Sequence, residues 1–366
     1  MTGAVCQDYH HVAQRRAFRQ RLRAAAGSAL LLAAAVAGRA QVLLPFDSTE
    51  EAARRSRVVL VRDPRAVEFY SPQTARVARM LDRGIVALTQ AADADAAWRQ
   101  FVKPQDVVGI KINSLPGPAM GTRHEVVNAV VNALQRAGVL ARNIIIWDRA
   151  DENLVAAGWE LRDSGGGPLC YGTLPNVGWD SRVSYRVPHV GTIIWGDLEF
   201  GEREMSERSH YSRIVTERVT KLINMPVLMD NKHVGLSGCL YNIAMGSVDN
   251  NRRFQTESLH YDAGIAELCA RPPLNEKLVL HILDALVAQY AGGPAFQPQA
   301  TWTPGELWLS RDPVALDALA LAAVENHRKA ANMPTLRDRG RHVRFAAEMG
   351  VGVADRSKMD IVELNP

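Results

Sequence analysis

The side chains best suited to chemistry are concentrated between residues 230 and 242. Lys232 and His233 follow the apolar segment 221–228, and the Gly- and Ser-rich stretch after them predicts the start of a helix. Free backbone N–H groups at a helix start favour a phosphate or carboxylate, although the spacing is not that of a P-loop. This predicts an anion site. Its candidate ligands are Asn113, Gly235, Ser237, Gly238 and Asn242.

A lysine inside an apolar strand is the second signal. Lys111 interrupts the segment 106–113, which is apolar enough to be covered on both faces. A lysine there costs several kcal/mol unless it is paired or its head reaches water. We therefore predict Lys111, Lys232 and His233 as the catalytic groups, with His233 as acid/base or metal ligand. A structural role is the alternative for Lys111.

Carboxylates at the ends of predicted strands are candidate metal ligands. They are Asp148, Asp284 and Asp312, and they identify no particular metal. Asp312 also fits a helix cap, because Pro313 suits the first position of a helix. Asp284 equally fits a residue that ends strand pairing. A bound metal ion is therefore one expectation, and purely structural carboxylates are the other.

The cysteine spacing argues against one class of cofactor. Cys170, Cys239 and Cys269 include no CxxC pair, so no cysteine-ligated iron–sulfur cluster is expected. In an oxidising compartment they allow one disulfide with one thiol left over. Three buried free thiols are the alternative.

The elements that would position these groups alternate between strands and helices. Short apolar runs with helical segments between them occur at 57–61, 106–113, 143–148, 221–228, 278–284 and 306–310. Thr122, with Glu125 three residues later, predicts a capped helix after the second strand. This order predicts an α/β fold: a mostly parallel sheet with helices on both faces, plus a less regular inserted region. Ligands bind beyond the carboxyl ends of such strands, so the candidate residues should share one rim.

The same alternation predicts how the chain is divided. The expected parts are a twin-arginine-type signal peptide (1–40), the first part of an α/β domain (41–149), an insert or lid (150–215), the second part of that domain (216–330) and a C-terminal extension (331–366).

The N-terminal segment predicts export. Arg15 and Arg16 precede the apolar stretch 24–37, which is too short for a comfortable membrane span and ends in small residues that suit cleavage. Paired arginines are typical of signals read by the twin-arginine export machinery, which carries folded proteins. We expect a periplasmic or otherwise exported protein. An N-terminal amphipathic helix of a cytoplasmic protein is the alternative.

The charge balance excludes a nucleic-acid partner. The chain has 43 basic and 39 acidic side chains, and residues 1–40 hold six of those arginines and one aspartate. Without that segment 37 basic and 38 acidic groups remain, so the excess of positive charge belongs to the predicted signal. No basic stripe with interleaved aromatic residues is present. No later apolar run approaches the length of a membrane span, which predicts a soluble mature protein.

In these motifs the chain resembles the family called domain of unknown function 362, over about residues 57–330. The matching elements are Lys111-Ile112-Asn113, Trp147-Asp148-Arg149, Lys232-His233 with Ser237-Gly238 and Tyr241-Asn242, Gly292-Gly293-Pro294, and Asp312 to Asp317. The third element departs from the family pattern, because Lys232 abuts His233 directly and Tyr241 stands where a Lys is usual. Some relatives carry a ferredoxin-like cluster domain, for which this sequence has no motif. The resemblance implies the fold and the rim site, and no reaction.

Two functional hypotheses follow. The first is an exported enzyme that acts on a small anionic substrate with the help of Lys111, Lys232 and His233. The second is a non-catalytic binding or maturation factor that delivers a ligand or metal to an exported redox partner. Groups able to transfer protons are expected to converge at the rim, which favours the enzyme.

Overall fold

The computed structural model describes residues 55–187, 208–256, 258–336 and 339–365. The predicted signal peptide with Arg15 and Arg16, and the part 188–207 of the predicted insert, lie outside the described residues. Within the described ranges, no helix is both long enough and apolar enough to cross a membrane.

Strands and helices alternate through most of the described chain. The strands are β1 (Ser56–Arg62), β2 (Val67–Glu68), β3 (Ser71–Pro72), β4 (Val108–Ile112), β5 (Ile144–Ala150), β6 (Leu169–Leu174), β7 (Trp179–Arg186), β8 (Arg208–Ser212), β9 (Lys221–Met225), β10 (Val227–Asn231), β11 (Gly235–Leu236), β12 (Leu278–Gln289), β13 (Thr301–Trp302), β14 (Glu306–Ser310) and β15 (Met359–Leu364). The α-helices are α1 (Thr74–Thr89), α2 (Ala94–Trp98), α3 (His124–Arg136), α4 (Asp151–Ala156), α5 (Cys239–Gly246), α6 (Ser258–Cys269), α7 (Leu274–Lys277), α8 (Pro313–Ala330) and α9 (Arg341–Glu348).

One mixed sheet of eleven strands dominates the described part of the chain. Its main order is β15-β1-β14-β12-β9-β4-β5-β6. Along this order every neighbouring pair is parallel except the two that involve β14, which runs antiparallel to β1 and to β12. β10 continues the line of β9 beyond Pro226 and pairs with the second half of β12. The predicted α/β fold with a mostly parallel sheet is therefore confirmed.

The two faces of the sheet have different coverings. Ile110 and Ile112 of β4 belong to an apolar cluster that includes buried residues of α1 and α3. Gly109 and Lys111 alternate with them and face the opposite side, where α5 packs. Helices α5, α6, α8 and α9 contact one another on that second side. Lys111 thus lies on the α5 face of a strand that is buried on both sides.

Two segments predicted to lie outside the α/β domain contribute strands to its sheet. β6, inside the predicted insert 150–215, pairs in parallel with β5 and forms one edge. β15, inside the predicted C-terminal extension 331–366, pairs in parallel with β1 and forms the other edge. β7 and β8 form a separate two-stranded sheet.

Candidate functional site

Lys111 is buried at the carboxyl end of β4, with 1% of its surface exposed. Its Nζ donates to Asp148 Oδ1 at 2.7 Å, to Ile112 O at 2.7 Å and to Asn242 Oδ1 at 3.1 Å. Burial lowers the pKa of Lys111, and the charge of Asp148 opposes that effect. The three N–H donors of the ammonium group are all used, so Lys111 orients its neighbours.

The carboxylate of Asp148 is equally saturated. Ser114 donates to Asp148 Oδ2 from its backbone N–H at 2.8 Å and from its Oγ at 2.5 Å, and the N–H of Arg149 donates to Oδ1 at 2.7 Å. Burial alone would raise the pKa of Asp148, but Lys111 and Ser114 hold it below its usual value. Asp148 is therefore a charged, fully hydrogen-bonded anchor.

Polar side chains continue from Lys111 across the sheet. Asn224 on β9 is the direct neighbour of Lys111, and His281 on β12 is the direct neighbour of Asn224. Asn242 Nδ2 donates to Asn224 Oδ1 at 2.7 Å, and Asn224 Nδ2 donates to His281 Nδ1 at 3.1 Å. Burial lowers the pKa of His281 to about 3, so its ring is neutral near pH 7. We call Asp148, Lys111, Asn242, Asn224 and His281 the buried row.

A glycine on α5 makes room for this row. Gly246 is the last residue of α5, and a Cβ at that position would lie 2.3 Å from Lys111 Cε and 2.7 Å from Lys111 Nζ. Both distances are shorter than atoms can approach without moving. The close approach of α5 to β4 therefore requires glycine at position 246.

Asp317 on α8 occupies the start of α5, where the sequence predicts an external anion. Its carboxylate accepts from the backbone N–H groups of Cys239 at 2.6 Å and Leu240 at 2.9 Å. A Cβ on Gly238 would lie 2.2 Å from Asp317 Oδ1, so glycine permits this approach. Burial raises the pKa of Asp317 to about 6. The prediction of an external anion at this helix start is wrong, because a carboxylate of the same chain takes the place.

The other predicted anion ligands are dispersed. Ser237 Oγ accepts from Asn231 Nδ2 at 3.0 Å inside the β10–β11 hairpin, and Gly235 takes a positive φ of 88° at the hairpin turn. The N–H of Asn113 donates to Thr122 Oγ1 at 2.8 Å. Thr122 in turn donates to a carbonyl of β9 and does not cap α3, which corrects its predicted role. Only Asn242 reaches the buried row.

Lys232 and His233 form the exposed turn between β10 and β11. The N–H of His233 donates to Asn231 Oδ1 at 2.9 Å, which closes the turn. Partial burial lowers the pKa of His233, and the neighbouring cations Lys232 and Arg339 lower it further. The turn is therefore a small exposed cluster of basic groups.

The structure does not bring the three predicted catalytic groups together. Lys111 pairs with Asn224, and Asn231 lies seven positions further along β9 and β10. At about 3.3 Å per residue this is roughly 23 Å, and His233 lies beyond that point. The predicted cluster of Lys111, Lys232 and His233 is wrong, because β10 carries the last two away from the rim.

The three predicted metal ligands also lie apart. Asp284 accepts from the N–H of Arg123 at 3.0 Å and lies 3.1 Å from the Arg123 guanidinium. Asp312 caps α8 by accepting from two backbone N–H groups, and it also accepts from Ser56 Oγ at 2.8 Å. Because β14 runs antiparallel to β12, Asp312 lies level with the amino ends of the parallel strands. Asp148 lies towards the carboxyl end of β5, at the other end of those strands. Over the described ranges, no group of three or more His, Cys, Asp or Glu side chains is arranged to hold a metal ion.

Cys170, Cys239 and Cys269 are buried and form no disulfide. Burial raises the pKa of the Cys170 thiol to about 12 and raises that of Cys269 further. Of the two alternatives that the sequence leaves open, the structure has three buried thiols.

A histidine–carboxylate pair joins β8 to the segment that follows α5. His210 Nδ1 on β8 is 3.0 Å from Oδ2 of Asp249, which follows α5, and the His210 N–H donates to Asp249 Oδ1 at 2.6 Å. The two side chains are 19% and 17% exposed, so both are partly accessible to solvent. Burial raises the pKa of Asp249, while hydrogen bonds from His210 and the charge of Arg149 oppose that effect.

Arg149 connects this pair to the buried row. It follows Asp148 on β5, and its guanidinium carbon lies 5.6 Å from the ring centre of Trp179. Its charge acts on Asp249 and also on Lys111, whose pKa is lowered mainly by burial. We call Arg149, Trp179, His210 and Asp249 the rim site. It offers one cation, one aromatic face and one acid/base pair next to the anchored Asp148.

Sequence reasoning missed most of these residues. Asn224 and His281 gave the same signal as Lys111, a polar residue inside an apolar strand, and that signal could have identified them. His210 and Asp249 are separated by 39 positions and have no local motif. Their pairing depends on how the β7–β8 sheet folds back, which no spacing rule predicts.

Comparison with known proteins identifies the family of the chain but no activity. A family model described as Domain of unknown function (DUF362) matches residues 108–322, more than half of the chain. No curated protein matches the chain. A crystal structure of a protein from Thermotoga maritima is similar with a TM-score of 0.39 and 10% sequence identity. That alignment covers 73% of this chain and 61% of the other, so the chain spans less than two thirds of that protein's length.

Proposed function

This chain belongs to the DUF362 family, a domain of unknown function. For this member of the family we propose an exported enzyme that moves a proton on a small anionic substrate. The rim site is the proposed place of reaction. One observation supports this most strongly: the 3.0 Å contact between His210 Nδ1 and Asp249 Oδ2, close to the cation Arg149.

His210 acts as the general base in this proposal. Asp249 accepts the Nδ1–H, which fixes the ring and leaves the lone pair on Nε2 for a substrate proton. The imidazolium that forms is stabilised by the same carboxylate, and Nε2 can then return a proton to the substrate. Asp249 is the positioning residue, because it holds the ring and does not itself touch the substrate.

Arg149 holds the anionic group of the substrate. A guanidinium presents its N–H donors in a planar fork that matches a carboxylate or phosphate, and the ring centre of Trp179 lies 5.6 Å from the guanidinium carbon of Arg149. The buried row below keeps Asp148, and hence the adjacent Arg149 backbone, in a fixed position. Binding and proton transfer are thus assigned to different side chains, which allows them to be tested separately.

The proposed partners follow from this reading. They are a small anionic ligand, the twin-arginine export machinery and, as a further proposal, an exported redox partner. We propose a periplasmic or otherwise exported location and no nucleic-acid partner.

A hydrogen-exchange screen tests the proposed reaction. Small carboxylates and phosphate esters are incubated with the full chain in D2O, and deuterium incorporation at carbon is followed by NMR. We expect exchange with at least one compound. His210→Gln should abolish it with little effect on binding, whereas Arg149→Gln should weaken binding of the same compound about tenfold or more. His233→Ala is the matched control and should retain both binding and exchange.

The same variants separate the enzyme from a non-catalytic binding factor. Native mass spectrometry of protein purified from its own periplasm shows whether a small molecule is bound. A bound ligand that depends on Arg149, with no exchange by the wild type, would favour the binding factor. Exchange that survives His210→Gln would overturn the proposed base.

The export proposal has its own test. Replacing Arg15 and Arg16 by Lys should retain the protein in the cytoplasm, as cell fractionation would detect. Normal export of this variant would contradict a twin-arginine route.

A further inference from the structure

A cleft of about 360 Å³ lies where the carboxyl end of β1 meets α1. Its wall contains five arginines, and Val61 and Met80 also line it. We call it the arginine cleft, and its arginines are Arg62, Arg65, Arg76, Arg79 and Arg83. Three of them lie at spacings of three and four residues along α1, so they share one face of that helix.

The positive charge of this cleft is poorly balanced. Asp63 is its one acidic lining residue, and its carboxylate already accepts from Arg76 Nη1 at 2.9 Å and from a backbone N–H at 2.9 Å. Arg62 Nε lies 3.8 Å from Glu306, at the limit of an ion pair. The side chains of Arg65, Arg79 and Arg83 have no ion pair or hydrogen bond with any described residue.

The acid that α1 itself provides is turned away from the cleft. Asp82 lies between Arg79 and Arg83 in sequence, but its Oδ1 pairs with Arg136 of α3 at 2.9 Å. Like charges at neighbouring positions of one helix face destabilise the helix. The repulsion among Arg76, Arg79 and Arg83 therefore lowers the stability of α1, and a bound anion would offset it.

We propose that the arginine cleft binds a small phosphate-bearing anion. Guanidinium groups match phosphate oxygens with paired hydrogen bonds, and several of them can surround one phosphate. A volume of about 360 Å³ falls within the usual range of small-molecule sites, and the apolar floor suits an uncharged part of the ligand.

This site is separate from the rim site. Three strands, β14, β12 and β9, lie between β1 and β4, so the two strands are roughly 19 Å apart at about 4.8 Å per strand. The inference therefore does not rest on the proposed function. A substitution at one site can leave the other intact.

Isothermal titration calorimetry of the full chain with pyrophosphate tests the proposal. The titration is done at low ionic strength, where surface charges are least screened. We expect wild type to bind and the double variant Arg79→Gln/Arg83→Gln to bind at least about tenfold more weakly. Arg142→Gln, an exposed arginine outside the cleft, is the matched control and should bind as wild type does. Thermal unfolding checks that all variants are folded.

Arg149→Gln assigns the binding to one of the two sites. Pyrophosphate affinity that is retained in Arg149→Gln and lost in Arg79→Gln/Arg83→Gln supports the arginine cleft. The reverse pattern, or no binding by wild type at millimolar pyrophosphate, overturns it.

Vesicles of phosphatidylglycerol distinguish a lipid headgroup from a free ligand. We expect free pyrophosphate to compete with any vesicle binding that depends on Arg79 and Arg83. Vesicle binding without binding of free pyrophosphate would overturn the proposed small-molecule site.

Discussion

The buried row and the β10–β11 turn contain the same kinds of side chain and use them in opposite ways. Lys111 is 1% exposed and its ammonium group has three partners, whereas Lys232 lies in an exposed turn. His281 is neutral and hydrogen-bonded inside the sheet, whereas His233 lies beside two other cations. An apolar environment makes every unpaired polar atom costly, and water removes that requirement. Density of polar residues in sequence therefore does not indicate where a site is built.

The largest expected effect is that of removing the buried cation. Lys111→Met leaves Asp148 charged and buried with only Ser114 and a backbone N–H as donors. Breaking one side of a buried ion pair costs about 3–5 kcal/mol of unfolding free energy, which urea unfolding at neutral pH would measure. The double variant Lys111→Met/Asp148→Asn removes the stranded charge and should recover part of the loss.

An exposed ion pair provides the contrast for this prediction. Asp82 and Arg136 are 42% and 43% exposed, and Asp82→Asn should cost about 0–1 kcal/mol. If Lys111→Met costs no more than Asp82→Asn, the buried row does not differ energetically from a surface pair. The comparison would then fail.

A smaller loss is expected when the space for Lys111 is filled. Gly246→Ala would bring a Cβ within 2.3 Å of Lys111 Cε, and the lysine cannot move freely because its Nζ is held by three acceptors. The cost of overpacking, about 1–3 kcal/mol, should exceed the gain of about 1 kcal/mol from replacing glycine in a helix.

Gly166→Ala is the matched control, because nothing lies within 4 Å of a Cβ at that position. It should change the unfolding free energy by no more than about 0.5 kcal/mol. Both variants can be compared by the midpoint of urea unfolding. A Gly246→Ala variant more stable than wild type would show that the lysine adapts.

The strands of the sheet could be predicted because their apolar runs are short and uninterrupted. The predicted segment 306–310 coincides with β14, and 57–61 lies within β1. The direction of a strand leaves no such mark, since the pattern of buried residues reads the same both ways. β14 runs antiparallel to β1 and β12. For this reason Asp312 lies at the amino ends of the parallel strands and not at the predicted rim.

The candidate site was less predictable, for two physical reasons. Lys111, Asp148 and Asn242 could be selected as unusual residues, but their partners were not determined by their spacing. The Gly-rich start of α5 does attract an anion, yet Asp317 arrives from a helix 78 positions away and fills it. Sequence rules describe what a local segment favours, and the tertiary fold decides which group meets that preference.

The pH dependence of stability tests the buried histidine. Burial lowers the pKa of His281 from 6.5 in the unfolded chain to about 3 in the folded protein. Between pH 6.5 and pH 3, therefore, the unfolded chain takes up a proton at this ring and the folded protein does not. The stability that neutral His281 provides is present above pH 6.5 and is lost as the pH falls. From pH 6 to pH 5 the loss is about 1 kcal/mol.

His281→Gln removes the titrating ring and keeps an acceptor for Asn224 Nδ2. Urea unfolding of both proteins at pH 7, 6 and 5 should show a shallower decline for the variant. Parallel declines would mean that His281 takes up a proton in the folded protein, which would place water in the buried row.

The smallest effect is expected at the hairpin turn. Lys232→Ser removes an exposed side chain whose ammonium group has no hydrogen bond or ion pair with any described residue, so the unfolding free energy should stay within about 0.5 kcal/mol of wild type. The pKa of His233 should nevertheless rise towards its usual value, because one of the two cations that repel the protonated ring is gone. NMR titration of the His233 ring measures this directly. A loss of stability comparable to that of Lys111→Met would show that the turn is as tightly coupled to the fold as the buried row.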